Sequence, residues 1–189
     1  GNTGAAVART LLERGAPVRA LVRDPEAARG LARQGVELVR GDLSDAGSLA
    51  RAFAGAETAY VLNPPAYASP DLFAEAERKA GAIAQAVGQS GLQRIVVLSS
   101  FGAHLPSGTG IIATNRTFER RLGGLDASVT FIRPTYFMQN WAAVAAAASG
   151  DGVLPSFLAP LDRAIAMVDT ADVGRVAAES MLAGEDAAR

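Results

Sequence analysis

"GNTGAAVARTLLERGAPVRALVRDP", residues 1–25, compresses a turn, a helix and a strand into one stretch. Gly1 and Gly4 lead directly into an amphipathic run with Val7, Leu11 and Leu12 on one face and Gly15 as its stop. Glycine has no Cβ, so such a turn lets backbone N–H groups approach a phosphate, and the helix behind it favours an anion. Alone, "GNTG" is a weak signal, because many surface turns share it. Its position strengthens it: the strand "APVRALVR" follows at one helix's remove. Such turns normally follow a buried strand. The expectation is that the first strand, and the first glycine of a Gly-x-x-Gly-x-x-Gly turn, precede residue 1.

The alternation continues along the chain. "PEAARGLARQG" (25–35) reads as a helix with proline at its start and glycine at its end. "VELVRGDL" (36–43) is a strand, and "SDAGSLARAFAG" (44–55) a helix capped by Ser44 or Asp45. "ETAYVLNPP" (57–65) is a strand broken by Pro64 and Pro65, followed by a long helix from Asp71 to Val87. "RIVVLSSFG" (94–102) is the most apolar strand and hence the central one. "TNRTFERRLGG" is helical, "SVTFIRP" a strand, "YFMQNWAAVAAAA" (136–148) a helix, "RAIAMV" a short strand, and "DTADVGRVAAESML" a last helix capped by Asp169 or Thr170. Strands alternating with helices predict an α/β fold: a doubly wound, mostly parallel sheet in a three-layer sandwich. Residues 1–189 read as a single domain.

Composition narrows the function classes. Lys+Arg 18 against Asp+Glu 19 leaves a net charge of −1, which gives no global field for nucleic acid or an acidic membrane surface. No apolar run approaches the roughly 20 residues of a membrane span. Without cysteine there is no thiolate chemistry, and one histidine, His104, precludes a multi-histidine metal site. No metal is expected, and a cytoplasmic location is the default.

Two strand ends carry the cofactor reading. NAD enzymes usually place an acidic residue about 20 residues beyond the glycines to bond the ribose 2′-hydroxyl. Here "LVRDP" puts Arg23 at the tip and Asp24 after it. A guanidinium pairs with a 2′-phosphate, which favours NADP(H) and leaves NAD(H) as the second choice. The bland reading makes Arg23 a solvated strand end and Asp24 a cap. At the next strand end, Asp42 is able to accept from the adenine amino group while Leu43 packs the ring; Asp42 also suits a helix cap.

Taken together these residues resemble the NmrA-like group of atypical short-chain dehydrogenase/reductases. "GNTG", "LVRDP", "GDLSD", "AYVLNPP", "RIVVLSSFGA", "FERRL", "TFIRPTYFMQNW" and "MVDTADVGRVAAESML" fall in that family's order, and "IRPTYFMQN" and "DTADVGRVAA" are the most specific. The resemblance implies a Rossmann fold binding NADP(H), and either a reductase of quinones or other small molecules or a non-enzymatic regulator that senses the nicotinamide pool through a protein partner. It also implies a further strand before residue 1 and a small substrate-capping region after residue 189. By similarity Gly1, Asn2, Thr3 and Gly4 would line the pyrophosphate and Arg23 would take the 2′-phosphate. Asp42 and Leu43 would flank adenine, and Asn63 and Pro64 would lie beside the nicotinamide ribose. Ser99, Ser100 and Phe101 would border the nicotinamide, and Pro134, Thr135, Tyr136 and Phe137 would face its amide and the substrate. Oligomeric state stays open.

Many short-chain reductases use a Tyr-x-x-x-Lys pair, in which lysine lowers the tyrosine pKa so that the phenol protonates a carbonyl. The one lysine here is Lys79, with Glu75 rather than tyrosine four residues before it, and residues 104–121 contain no tyrosine. Asn115 stands where the family often has lysine and is able to bond ribose without being a cation; Arg116 supplies charge beside it. His104 and Tyr136 are the remaining candidates for proton donation, against the plainer readings of a loop histidine and a packed core tyrosine. Phe137, Met138, Asn140 and Trp141 form a candidate substrate pocket, although aromatic residues at helical spacing are more often core.

Overall fold

The computed structural model describes residues 1–156 and 158–183. The elements in order are α1 (Asn2–Glu13), β1 (Arg19–Val22), α2 (Arg29–Ala32), β2 (Glu37–Arg40), α3 (Ala46–Phe53), β3 (Thr58–Leu62), α4 (Leu72–Ser90) and β4 (Arg94–Leu98). A 3-10 turn (Gly110–Ile112) then leads into α5 (Ala113–Leu122), β5 (Ser128–Ile132), β6 (Tyr136–Phe137), a second 3-10 stretch (Met138–Val144), α6 (Ala145–Asp151), β7 (Met167–Val168) and α7 (Thr170–Leu182).

Every strand pairing among the described residues is parallel. β1 pairs with β2, β3 with β4 and β4 with β5, and β6 with β7. Three short sheets therefore stand where one continuous sheet is expected from sequence. β1 and β3 are not bonded to each other, and α3 bridges them instead. Leu49 and Phe53 of α3 share a core with Leu21, Val61 and α4, while Arg19 Nη1 donates to the Ala54 carbonyl at 2.7 Å.

Side-chain alternation makes the layers. Ile95 and Val97 of β4 face Ile83 and Val87 of α4 and Phe118 and Leu122 of α5; Val96 faces the other way, into Val7 and Leu11 of α1 and Ala177 and Ala178 of α7. Buried on both faces, β4 is the middle of its sheet, as its composition predicts. The α1–α7 layer is closely packed at Gly174, where a Cβ would lie 2.3 Å from the Ala6 Cβ.

Helix ends follow local chemistry. Asp45 caps α3 by accepting from Gly47 and Ser48, Asp71 caps α4, and Asp169 caps α7. α4 continues three residues past the expected end and stops at Gly91, which takes the left-handed conformation (φ 69°).

Two expected helices differ. Of residues 25–35 only Arg29–Ala32 is α-helical, and none of these four is buried. A short helix with no packed face has little to offset its nucleation cost. The expected helix 136–148 is also wrong in type: Tyr136 and Phe137 pair as a strand with Met167 and Val168, and α-helix begins only at Ala145. Long-range strand pairing overrides the local pattern there.

Candidate functional site

Successive strand tips, with the loops that follow β1 to β5, carry most of the residues singled out from sequence. On one side, Arg23 after β1 and Asp42 after β2 line an open groove of about 350 Å³ together with Arg40, Gly41 and Asp45. The groove is shaped by close approach. A Cβ on Gly41 would lie 2.5 Å from Ser48 Cβ and 2.6 Å from Leu21 Cδ1, so only glycine fits without displacement. Ser48, fully buried, accepts the Asp42 N–H at 3.1 Å and lies at hydrogen-bond distance from the Asp42 and Asp45 carbonyls. The Ser44 N–H reaches Asp42 Oδ1 at 2.8 Å. That bond holds the Asp42 carboxyl below its ordinary value; burial opposes it, and the charges of Arg23 and Lys79 reinforce it. Asp24 accepts from the Glu26 and Ala27 N–H groups and so caps the turn after β1.

The residues expected to form a glycine turn constitute the first turn of α1. Asn2, Thr3 and Gly4 are helical, with Gly1 as N-cap and no side-chain cap. A Cβ at Gly1 or Gly4 would meet nothing within 4 Å, so this helix start is uncrowded. Its first N–H groups have no intrahelical acceptor and present a partial positive charge. Thr3 is buried beside Tyr60, whose hydroxyl is buried without meeting hydrogen-bond geometry. Burial pushes the Tyr60 phenol up to about 12, although the nearby Thr3 hydroxyl acts in the opposite sense. Tyr60 is therefore held neutral and is no substitute for an activated tyrosine.

On the other side, α4 and α5 hold the strand ends. Asn63 Nδ2 donates to Thr114 Oγ1 at 3.0 Å, and Thr114 donates to the Ile111 carbonyl at 2.8 Å. Lys79, buried in α4, donates to the Pro64 carbonyl at 3.1 Å. These groups border a cavity of about 10 Å³, enough for a single water. Asn115 is half-buried in the first turn of α5.

The ends of β4 and β5 are tied to each other. Ser99 N–H donates to the Ile132 carbonyl at 2.7 Å and Phe101 N–H to the Pro134 carbonyl at 2.8 Å. The Ser99 hydroxyl donates to Glu119 Oε1 at 2.5 Å, and Arg133 donates through Nε and Nη2 to both Glu119 oxygens at 2.7 Å. Burial raises the Glu119 carboxyl. The hydrogen bonds from Arg133 and Ser99, with the charges of Arg133 and His104, outweigh it, so its pKa lies below the ordinary value. The Ser100 hydroxyl donates to the neighbouring Phe101 carbonyl at 3.2 Å, and the Ser100 carbonyl accepts the Ala103 N–H at 3.0 Å. Phe101 is exposed and meets the His104 ring edge-on at 6.1 Å, while Arg116 Nη1 donates to the His104 carbonyl at 2.8 Å.

Tyr136, expected at a helix start, lies on β6, with its ring 6.1 Å from that of Trp141. Trp141 Nε1 lies 3.4 Å from the Met167 sulfur. Pro134, Thr135 and Phe137 are half-buried along this wall, whereas Asn140 and Met138 are exposed.

The structure thus joins Arg23 with Asp42, Asn63 with Thr114, Ser99 with Ile132 and Glu119, and Phe101 with Pro134. Four residues have places that the sequence reading did not assign: Arg40 lines the groove with Arg23, Lys79 donates to the Pro64 carbonyl, and Glu119 with Arg133 forms the clamp between β4 and β5. The signal for Glu119 is its place on α5 between the buried Phe118 and Leu122, which leaves a carboxylate in need of partners. Among the described residues no group of His, Cys, Asp and Glu side chains suits a metal ion, and no helix is long and apolar enough to cross a membrane.

Comparison with known proteins sets these features in context. The model of the NmrA-like family matches residues 1–188. An NAD(P)H azoreductase of Xenophilus azovorans is 28% identical over 182 residues, covering 96% of this chain and 60% of that protein. An NADPH-dependent quinone oxidoreductase of Escherichia coli superposes with a TM-score of 0.79 at 25% identity, over 97% of this chain and 62% of the other. A Citrobacter sp. triphenylmethane reductase, solved with NADP(H), gives 0.77 at 22% identity, over 97% of this chain and 63% of that one, a likeness of fold. The chain thus spans about three-fifths of the length of these relatives.

Proposed function

The chain belongs to the NmrA-like family, and from that premise we propose that it is an NADP(H)-binding reductase passing hydride to a small quinone or carbonyl compound. The observation that carries the cofactor reading is Arg23, whose side chain lines an open groove beside Asp42 at the strand tips. NAD(H) remains the weaker choice, because a guanidinium there adds a partner for a 2′-phosphate and no acceptor for a 2′-hydroxyl.

When bound, NADPH supplies the hydride, and the chain's part is to hold and orient. The start of α1 offers N–H groups from Asn2, Thr3 and Gly4 to the pyrophosphate. Asp42 accepts from the adenine amino group, and Leu43 packs against the ring. Asn63, fixed through Thr114, keeps its amide oxygen available to the nicotinamide ribose. Ser99–Phe101 and Pro134–Phe137, tied by main-chain bonds and by Glu119, wall the reacting end. Phe137 and Trp141 supply apolar surface for an aromatic acceptor. With Lys79 committed to the Pro64 carbonyl and no Tyr-x-x-x-Lys pair, the proton that completes reduction comes from solvent or His104, with Tyr136 as a second donor. A quinone needs no stronger acid, since hydride addition to it is already favourable.

The test is steady-state oxidation of NADPH by the full chain with a panel of quinones and carbonyl compounds. Acceptor-dependent turnover supports the proposal. The missing Tyr-x-x-x-Lys pair favours a second reading, an NADP-binding sensor that docks on a protein partner. Tight NADPH binding without oxidation by any acceptor would favour that reading.

A further inference from the structure

Arg116 reads in sequence as a charge beside Asn115, but its guanidinium has a more definite task. Its Nη1 donates to the His104 carbonyl at 2.8 Å and lies 3.5 Å from the Ala103 carbonyl. Among the described residues no other side chain bonds either carbonyl. Glu119, three residues further along the same helix, takes the Ser99 hydroxyl at 2.5 Å. α5 thus grips the loop after β4 at two points, Ser99 and His104.

Between those points the loop is held by its own main chain. Phe101 N–H donates to the Pro134 carbonyl at 2.8 Å, Ala103 N–H to Ser100 and Leu105 N–H to Gly102, both at 3.0 Å. Gly102 takes φ 91°, a backbone that a side chain would strain, and Ala103 is fully buried. Residues 104–108, by contrast, are exposed. His104 therefore stands where a pinned loop gives way to an exposed one, and the Arg116 bond keeps it with the pinned part. The outcome is an exposed imidazole in a fixed place, edge-on to the Phe101 ring at 6.1 Å. Its charge also reaches Glu119 and helps to lower that carboxyl.

We propose that Arg116 is a positioning residue that straps the end of the β4 loop to α5, so that His104, rather than solvent, protonates a carbonyl acceptor. The inference rests on the reductase reading above and names the proton donor within it. Hydride addition to an aldehyde or ketone moves the C=O π pair onto oxygen and leaves a strongly basic alkoxide, so a donor held beside that oxygen matters. The alkoxide takes a proton from the protonated imidazole. His104 is left neutral and regains its proton from water, while the two electrons arrive with the hydride and NADP+ departs.

The test begins without cofactor. The chain has one histidine, so no other imidazole overlaps its NMR signals in the tag-free full chain. NOE contacts between the His104 and Phe101 rings should be present in the parent, absent in Arg116→Met and restored in Arg116→Lys, whose single ammonium replaces the single nitrogen that makes both contacts. With NADPH and a carbonyl acceptor, Arg116→Met should lower kcat about tenfold and leave the NADPH dissociation constant within about twofold. In a His104→Gln background the same substitution should cost less than about twofold, because the group it acts through is gone. Ring contacts that survive in Arg116→Met overturn the positioning role, as does an unchanged kcat. A full tenfold loss in the His104→Gln background overturns His104 as the donor. If Arg116→Met shows no melting transition, His104→Gln alone decides the proton step, and undiminished carbonyl turnover in it overturns the proposal. A parent that oxidises no NADPH with any acceptor overturns the proposed function and the proton step with it; the ring contacts, read without cofactor, still decide whether Arg116 holds His104.

Discussion

Replacing Glu119 by glutamine removes the charge at the centre of the clamp between β4 and β5 while keeping its shape. In the parent, the side chain is 10% exposed and takes hydrogen bonds from Ser99 and, twice, from Arg133. The Arg133 side chain is 42% exposed, so water replaces much of what it loses, and its share of the cost is about 0.5–1 kcal/mol. Ser99 is buried and keeps at best a neutral acceptor, which adds about 0.5–1 kcal/mol. The expected loss at neutral pH is about 1–2 kcal/mol, or roughly 3–6 °C in Tm for a chain of this size. The pH dependence has a definite sign. The Glu119 pKa is lowered from 4.5 in the folded chain, so its contribution is fully present above 4.5 and disappears as pH falls through the folded value. Urea unfolding of parent and Glu119→Gln across acid pH should show the stability gap widest at neutral pH and narrowing below 4.5. A gap that stays constant into the acid range would refute the reasoning, because the carboxylate charge would then contribute nothing. An absent gap would do the same.

Other perturbations test other parts. Gly174→Ala puts a Cβ against Ala6 Cβ at 2.3 Å and backbone atoms of Ala6 and Val7 at 2.9 Å, so α1 and α7 must separate; urea unfolding should register a loss of about 1–3 kcal/mol. Asp45→Ala removes the α3 cap and should cost about 1 kcal/mol in the same assay, with Asp45→Asn recovering most of it. Lys79→Met removes a positive charge that acts on Asp42, and NMR titration should find the Asp42 carboxyl moved upward. An unchanged Asp42 would mean that Lys79 serves only the Pro64 carbonyl.

Much of the fold is legible in sequence because it is decided locally. The unbroken apolar run of β4 announces burial on both faces, and Asp71 starts α4 by capping chemistry that needs no tertiary partner, although the helix runs past the expected Val87 to Gly91. Residues 25–35 mislead in length, since propensity and a terminal glycine are present but a buried face is not. Tyr136 and Phe137 mislead in type, because their fate depends on Met167 and Val168, some thirty residues away. The site divides in the same manner. Arg23 and Asp42 are readable as strand-end residues after recognisable strands. The pairing of Glu119 with Ser99 and Arg133 arises only when strands and helices are assembled, and it leaves no short-range motif.

The most direct test of the central claim is a calorimetric titration of NADPH into the full chain, with NADH in parallel. Saturable binding at one site per chain, tighter for NADPH, is the expected result, and it would place cofactor, α1 start and strand-tip groove in a single picture. Absence of heat for both nucleotides, with the chain shown to be folded by its melting transition, would contradict it.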